Sequence, residues 1–435
     1  MLSSALIALL PVLAGVVQGV AVERNGRWDS DSWGVQSQGH GHGFSNRWQN
    51  PALVTCQALT ANILDGCPEG TLLVDGSGNW TTSTNSTKTH GSKASTATFT
   101  TIQAAIDSIP YASSKTYTIL ITPGEYNEQV NITQNAAITM LGVTSNVTDP
   151  TANTVTVYRE LANYNVRYTD NVWTANLIVA PTYNSSATGA GPSGTPVAAD
   201  TPWGNKDLRV YNVDFVNNYS QYSSGPSLAL STAYSYSSFY RCGFYSEQDT
   251  IFIGKRGSAY MHECIIAGQT DFLYGFGTLW VQDSEIQMRA CGGGIIAWKG
   301  SNLTDSFEPG TYDSNHFGCY IDNANFVAAN QTVYDDWQGK CYLGRNWNEG
   351  HRSVISNSYM DHTVAGQGYE KWTASIPLPT PVFFGEYNST GDGFNLTARV
   401  AANITHEMTA AEVAKYSFAN VFGSKKPSWI DSHCL

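Results

Sequence analysis

The strongest constraint in this sequence is a repeat. Tyr240-Arg241-Cys242-Gly243-Phe244 realigns with His262-Glu263-Cys264-Ile265-Ile266 at an offset of 22 residues. Asn212-Val213-Asp214-Phe215 and Asp283-Ser284-Glu285-Ile286 carry the same unit, and Asn323-Ala324-Asn325-Phe326 and Asn357-Ser358-Tyr359-Met360 repeat it at wider spacings. Strands this short cannot bury a face alone, so a unit recurring at twenty-odd residues predicts a stacked solenoid. The strands are β-branched and aromatic and long helical patterns are few, which makes the solenoid an all-β parallel β-helix. A β-sandwich, the second choice, requires hairpin turns and clean alternation instead.

Composition agrees. Only 13% of residues are charged while 12% are aromatic, too few charges for the solvated faces of a helical protein. Lys and Arg number 23 against 35 Asp and Glu, a formal net charge of −12, which argues against a nucleic-acid partner. Two short capping helices are expected. Thr100 and Gln103 have capping-box spacing ahead of Ile102, Ala105, Ile106 and Ile109, and Thr409 and Glu412 have it ahead of Val413, Tyr416 and Phe418.

Leu2 to Val17 is apolar, interrupted by Pro11 and followed by the small residues Gly19 and Ala21. That pattern predicts a secretory signal peptide over 1–21 and a secreted protein, with no later stretch apolar enough to span a membrane. Sequons at Asn79, Asn85, Asn131, Asn146, Asn184, Asn218, Asn302, Asn330, Asn388, Asn395 and Asn403 suit export. So do eight cysteines without zinc-ligand spacing, although Cys242 and Cys264 read as an inward thiol ladder as easily as a bridge. Residues 22–70 read as an irregular lead-in, in which His40 and His42 belong to a Gly-rich linker rather than a metal site. Thr182 to Lys206 reads as a surface loop bordering a cleft. The solenoid is expected over 71–425, a tail over 426–435, and a monomer by default.

The offset of 22 also superposes Asp249 on Asp271. Residues one coil apart on parallel strands lie about 4.8 Å apart. Two carboxylates at that spacing do not both ionise freely, so one keeps a proton beside an anion, as acid/base chemistry requires. The bland alternative is a pair of solvated turn aspartates, but Gln248 before the first and Phe272, Leu273 and Tyr274 after the second are unlike a solvated turn.

These residues bring a resemblance with them. Gly124-Glu125-Tyr126-Asn127-Glu128, Gln248-Asp249-Thr250, Asp271-Phe272-Leu273-Tyr274-Gly275, Leu343-Gly344-Arg345-Asn346-Trp347 and Gly385-Glu386-Tyr387 match, in order, the segments of pectin methylesterases. With Asp75-Gly76-Ser77-Gly78 and the run from Phe99 to Ile106, the resemblance covers roughly Thr71 to Val421. It implies a right-handed parallel β-helix that hydrolyses methyl esters of pectin without a cofactor or metal. Asp271 is then the nucleophile, Asp249 the general acid and later the base, Gln248 an oxyanion donor, and Arg345 the partner that keeps Asp271 anionic. Trp347, Tyr274 and Tyr126 offer flat faces for sugar rings, with core packing an equal alternative for each.

The chain departs from the pattern at Pro226, where the family carries a second oxyanion-hole glutamine. Losing such a donor costs about 10²- to 10³-fold in rate unless Ser227, Gln221 or a backbone N–H replaces it. Asn346 stands where the family has proline. No Gly-x-Ser-x-Gly motif is present for a serine esterase, His262-Glu263 lacks the second histidine of a zinc protease, and Asp335-Asp336, the one tempting calcium pair, reads as a solvated turn. The competing function is a secreted pectin-binding protein with weak or no activity, supported by Pro226 alone. Against it stands the cost of burying two carboxylates and a guanidinium that nothing uses.

Overall fold

The computed structural model describes residues 50–60, 62–80, 97–188, 197–198, 200–299, 318–348, 350–373 and 382–435. Among them, sheets of twelve, eight and seven strands run side by side, and successive coils pair in parallel. One coil contributes Gly257–His262 to the first sheet, Ile265–Gly268 to the second and Leu273–Gly275 to the third. Tyr240 pairs with His262, Phe244 with Ile266 and Ile251 with Leu273, so the 22-residue offset is one turn of a parallel β-helix. The wider repeats are in register too: Phe215 pairs with Phe244, Ile286 with Phe326, and Phe326 with Met360.

The repeated unit is a corner. Asn212, Arg241, Glu263, Asp283, Asn323 and Asn357 each adopt φ between 51° and 54° between a first-sheet and a second-sheet strand. A single left-handed residue turns the chain sharply, and Asn and Asp tolerate it best because their side chains bond locally. The residue after each corner (Val213, Cys242, Cys264, Ser284, Ala324, Ser358) is buried. Cys242 and Cys264 therefore stack as free inward thiols, and burial pushes the Cys264 thiol up to about 12. Disulfides join Cys56 to Cys67 and Cys291 to Cys341.

Inside the corners the core is a set of aligned stacks, among them Phe215 on Phe244 with ring centroids 5.5 Å apart. The helix Ile102–Asp107 closes one end with Ile102, Ala105 and Ile106 buried. Its cap is Thr101, whose Oγ1 accepts the Ala104 N–H at 3.1 Å, rather than the expected Thr100. The acid of a capping box comes instead from a distant residue: Glu128 accepts the N–H groups of Ile102 (2.8 Å) and Gln103 (2.9 Å). The Thr409–Glu412 box forms as expected.

The outer face of the first sheet is an aromatic ladder, Tyr211, Tyr240, Tyr260, Trp280 and Tyr320, covered by Phe418, Phe422, Trp429 and Ile430. The last residues are thus packed on the solenoid rather than trailing from it. Part of the segment read as irregular is likewise ordered, since the helix Pro51–Gln57 and Cys56 lie against that same layer. Asp335 and Asp336 end the helix Gln331–Asp336 and are exposed, a helical rather than turn setting for a solvated pair. The predicted signal segment, His40 and His42, the sequons Asn85 and Asn302, and part of the Thr182 to Lys206 loop lie outside the described residues. No helix among the described residues is long and apolar enough to cross a membrane.

Candidate active site

Both aspartates sit where the chain passes from the second sheet into the third. Asp249 and Asp271 adopt φ of 62° and 49°, a second left-handed corner one coil apart. Gln248 and Thr270 form a parallel bridge, and the Asp249 N–H donates to Thr270 O at 3.1 Å. The pair is therefore stacked in register and, at 8% and 7% exposed, buried, which removes the solvated-turn reading.

Their surroundings differ. Arg345 donates Nε to Asp271 Oδ1 at 2.9 Å and Nη2 to Oδ2 at 2.7 Å, a bidentate pair that fixes both oxygens and favours the anion. The Gly294 N–H adds a longer contact to Oδ1 at 3.4 Å. Asp249 has no such partner. Burial, reinforced by the charge of Asp271 and only partly opposed by Arg345, pushes its carboxyl well above the usual carboxylate range. The two stacked carboxyls thus differ: a guanidinium clasps Asp271, while Asp249 is pushed toward its protonated form.

Gln248 is half-buried, and its Oε1 accepts the Gly225 N–H at 3.2 Å, so its NH₂ is the free end. Pro226 brings no side-chain donor, and its carbonyl accepts the Asn163 N–H at 2.8 Å. Ser227 does not replace it, because its hydroxyl is turned inward against Ser246 at 2.7 Å, and Gln221 is exposed to solvent.

Among the aromatic candidates, Trp347 is half-buried, 5.8 Å from the Tyr274 ring. Tyr274 is 3% exposed and packs against Phe252 and Trp347, so it offers no free platform. Tyr126 is not at the site. Strand alternation turns it into the core, where its hydroxyl donates to Thr122 O at 2.9 Å, three coils and roughly 14 Å along the solenoid from Asp249. Glu386 of the last matching segment is also structural, fully buried against Arg399 at 2.9 Å.

The structure adds residues that sequence reasoning did not single out for the site. The Trp372 ring, 42% exposed, has its centroid 4.2 Å from the Arg345 guanidinium, and the Trp372 backbone N–H donates to Asn346 Oδ1 at 3.3 Å. The departure from proline at Asn346 thus gives that loop an anchor. Asn171 reaches Asp249 from a preceding coil. Neither has a local signal, since each lies on a loop without period.

The family model described as Pectinesterase matches residues 198–425, just over half of the chain. A pectinesterase of Aspergillus aculeatus is 26% identical over 77% of this chain and 88% of its own length. A probable pectinesterase/pectinesterase inhibitor of Arabidopsis thaliana is 28% identical over 75% of the chain, which spans about half of that longer protein. In fold, the chain is similar to the crystal structure of a pectin methylesterase from Aspergillus niger, with a TM-score of 0.62 and 22% identity over 84% of this chain and 97% of that one. The span matched by the family model contains Gln248, both stacked aspartates and Arg345, and on that match the chain belongs to the pectinesterase family.

Proposed function

We propose that this protein is a secreted aspartyl esterase that converts methyl-esterified galacturonan into pectate and methanol, with Asp271 as nucleophile. The observation that carries this reading is the asymmetry of the stacked pair: a bidentate guanidinium on Asp271 and none on Asp249. An Asp271 oxygen attacks the ester carbonyl carbon, and the electron pair displaced onto the carbonyl oxygen is met by the free NH₂ of Gln248. Collapse expels methoxide, which takes the Asp249 proton and leaves as methanol, with the galacturonate acyl group joined to Asp271 as an anhydride. Asp249, now a carboxylate, removes a proton from water as it attacks that acyl carbon. The uronic acid departs, Asp271 is regenerated, and Asp249 ends protonated as it began.

The exposed Trp372, which lies over the Arg345 guanidinium, supplies an apolar face for a sugar ring beside the scissile ester, and Trp347, two residues beyond Arg345 with Lys299 over its ring, offers a second. The apolar segment 1–21 supports secretion, as do the two disulfides and the exposed sequon asparagines Asn79, Asn146, Asn184, Asn218, Asn388, Asn395 and Asn403. Residues 71–425 form the esterase unit of this proposal.

Methanol release from highly methylated pectin, by wild type and by Asp271→Asn, tests the assignment. Release that falls by at least three orders of magnitude in the variant is expected. No release from either protein, with pectin binding intact in both, overturns the esterase in favour of the binding protein that Pro226 suggests.

A further inference from the structure

The segment that carries Pro226 in place of a glutamine is met by a loop that brings an amide of its own. This segment, 160–176, leaves the second-sheet strand Val155–Arg159 and enters the third-sheet strand Leu177–Val179. It docks on the Pro226 carbonyl through the Asn163 N–H. A Cβ on Gly225, itself at φ 120°, would stand 3.1 Å from both Asn163 O and Tyr164 Cα. The contact is therefore tight. Two successive non-glycine residues in the loop, Asn165 and the β-branched Val166, adopt left-handed φ of 52° and 50°. At the other end, Thr174 Oγ1 accepts the Leu228 N–H at 3.0 Å, tying the loop to the strand that follows Pro226.

Between these anchors a chain of hydrogen bonds has only one possible direction. The Tyr168 backbone N–H, which can only donate, gives its proton to Asn163 Oδ1 at 2.8 Å. Asn163 must then present Nδ2 at its other end, and it donates to Asn171 Oδ1 at 2.9 Å. Asn171 in turn must present Nδ2, which faces Asp249 Oδ2 at 3.5 Å. A main-chain N–H thus orients two side-chain amides in series, removing the ambiguity that attends asparagine. The last contact is long, as catalytic hydrogen bonds often are before substrate closes the site.

Building on the aspartyl-esterase reading above, we propose that Asn171 is a positioning residue of the reaction: its amide, aimed by the Tyr168–Asn163 relay, donates to Asp249 Oδ2 and so reserves Oδ1 for the proton that passes to the leaving methoxide. An oxygen accepting an N–H is the poorer site for the acid proton, and the same contact restrains the carboxyl from rotating. In the second half of the cycle the bond steadies the Asp249 carboxylate that activates water. The loop thereby brings an amide to a site where the neighbouring coil has proline in place of an expected side-chain donor.

The test uses Asn171→Ala, Asn163→Asp and the Asp271→Asn control, each checked for a wild-type melting temperature. Asn163→Asp is isosteric, and its carboxylate accepts from both Tyr168 N–H and Asn171 Nδ2, turning Asn171 so that it shows Oδ1 to Asp249. Both loop variants are expected to lose about tenfold in kcat with KM for methylated pectin nearly unchanged. The basic limb of their kcat–pH profiles should move to higher pH, because an N–H donor favours the Asp249 anion and its removal keeps the acid protonated longer. The other ionisable groups facing Asp249 are Asp271, Arg345 and Tyr274, with Asp170 beyond Tyr274; the Asn171 amide also serves Tyr274, and Asn163→Asp adds a carboxylate that itself raises Asp249, so the two variants are read together. Wild-type kcat and an unmoved limb in both variants overturn the proposal, as does a loss of kcat with the limb unmoved, which marks a merely structural loop. Activity surviving in Asp271→Asn would instead overturn the aspartyl reading on which it rests.

Discussion

Arg345 reaches Asp271 across an intervening coil. The third-sheet strands Leu273–Gly275, Gly294–Trp298 and Tyr342–Gly344 pair in succession, so the guanidinium spans two coil spacings, about 10 Å. It can do so because the residue beneath its path is Gly293. A Cβ there would lie 2.8 Å from Arg345 Nη2 and 2.9 Å from Cζ, closer than side-chain contacts allow. Cys291, two residues away, is bonded to Cys341 on the coil that carries Arg345, which holds both sides of the crossing.

Gly293→Ala is therefore expected to impair catalysis more than folding. The added methyl pushes the guanidinium off Asp271, and a displacement of about 1 Å at a reacting group costs roughly 10²-fold. The backbone, at φ 75°, adds about 1–2 kcal/mol of strain. A kcat within twofold of wild type, measured with a normal circular dichroism spectrum, would show that Arg345 does not depend on that gap.

Asp249→Asn should abolish activity and stabilise the fold, with a definite pH dependence. The folded-state carboxyl lies above its ordinary value through burial and the neighbouring Asp271, so between the ordinary carboxylate range and that raised value the folded protein binds more protons than the unfolded chain. Stability supplied by the protonated acid is complete below the ordinary range and is lost as pH rises through the folded value. Asparagine has no such loss. Melting curves should coincide near pH 4, and the variant should melt higher by pH 7; equal melting temperatures at both would contradict the buried acid.

Arg399 and Glu386 make a fully buried pair, with Nε to Oε2 at 2.9 Å and Nη2 to Oε1 at 3.3 Å, and Arg399 also donates to the carbonyls of Ala365 and Gly366. Arg399→Met leaves Glu386 buried without a counter-charge, a change worth about 3–5 kcal/mol. Denaturant unfolding of this variant should show a loss of that order. A loss under 1 kcal/mol would mean that water or another cation reaches the carboxylate.

Lys299 is 1% exposed, and its ammonium lies 4.1 Å above the Trp347 ring without a hydrogen-bond partner. Burial, with Lys255 nearby, brings it down to about 8. Below that value the folded protein carries an unpaired buried charge, and stability rises with pH between about 8 and the ordinary lysine value as both states shed the proton. Lys299→Met should stabilise by about 1–3 kcal/mol near pH 6, with the gain shrinking above pH 8. A destabilised variant at pH 6 would show that the cation–π contact outweighs desolvation.

Much of this site was legible because a parallel ladder preserves sequence offsets. The 22-residue repeat that aligned Cys242 with Cys264 also stacked Asp249 on Asp271, and the corner residues from Asn212 to Asn357 each marked a coil. Tyr126 was misplaced for the opposite reason. It belongs to a matching segment, but whether a strand residue faces in or out depends on the pleat, and here the pleat buries it.

The sequence by itself determined the coil, its corners, the stacked carboxylates and the capping helices at both ends, since each is a local pattern whose period the backbone enforces. The family resemblance already pointed to Arg345; only the tertiary structure decided how its guanidinium meets Asp271 and that Asn171 reaches Asp249. Arg345 lies 74 residues from Asp271, and Asn171 lies 78 from Asp249. Arg345 directly follows the third-sheet strand Tyr342–Gly344 and Asn171 opens a short 3-10 turn, on coils of unequal length, so their spacing leaves no periodic trace in the chain. For the same reason Gly293 reads as an ordinary turn glycine until the guanidinium passing over it is seen.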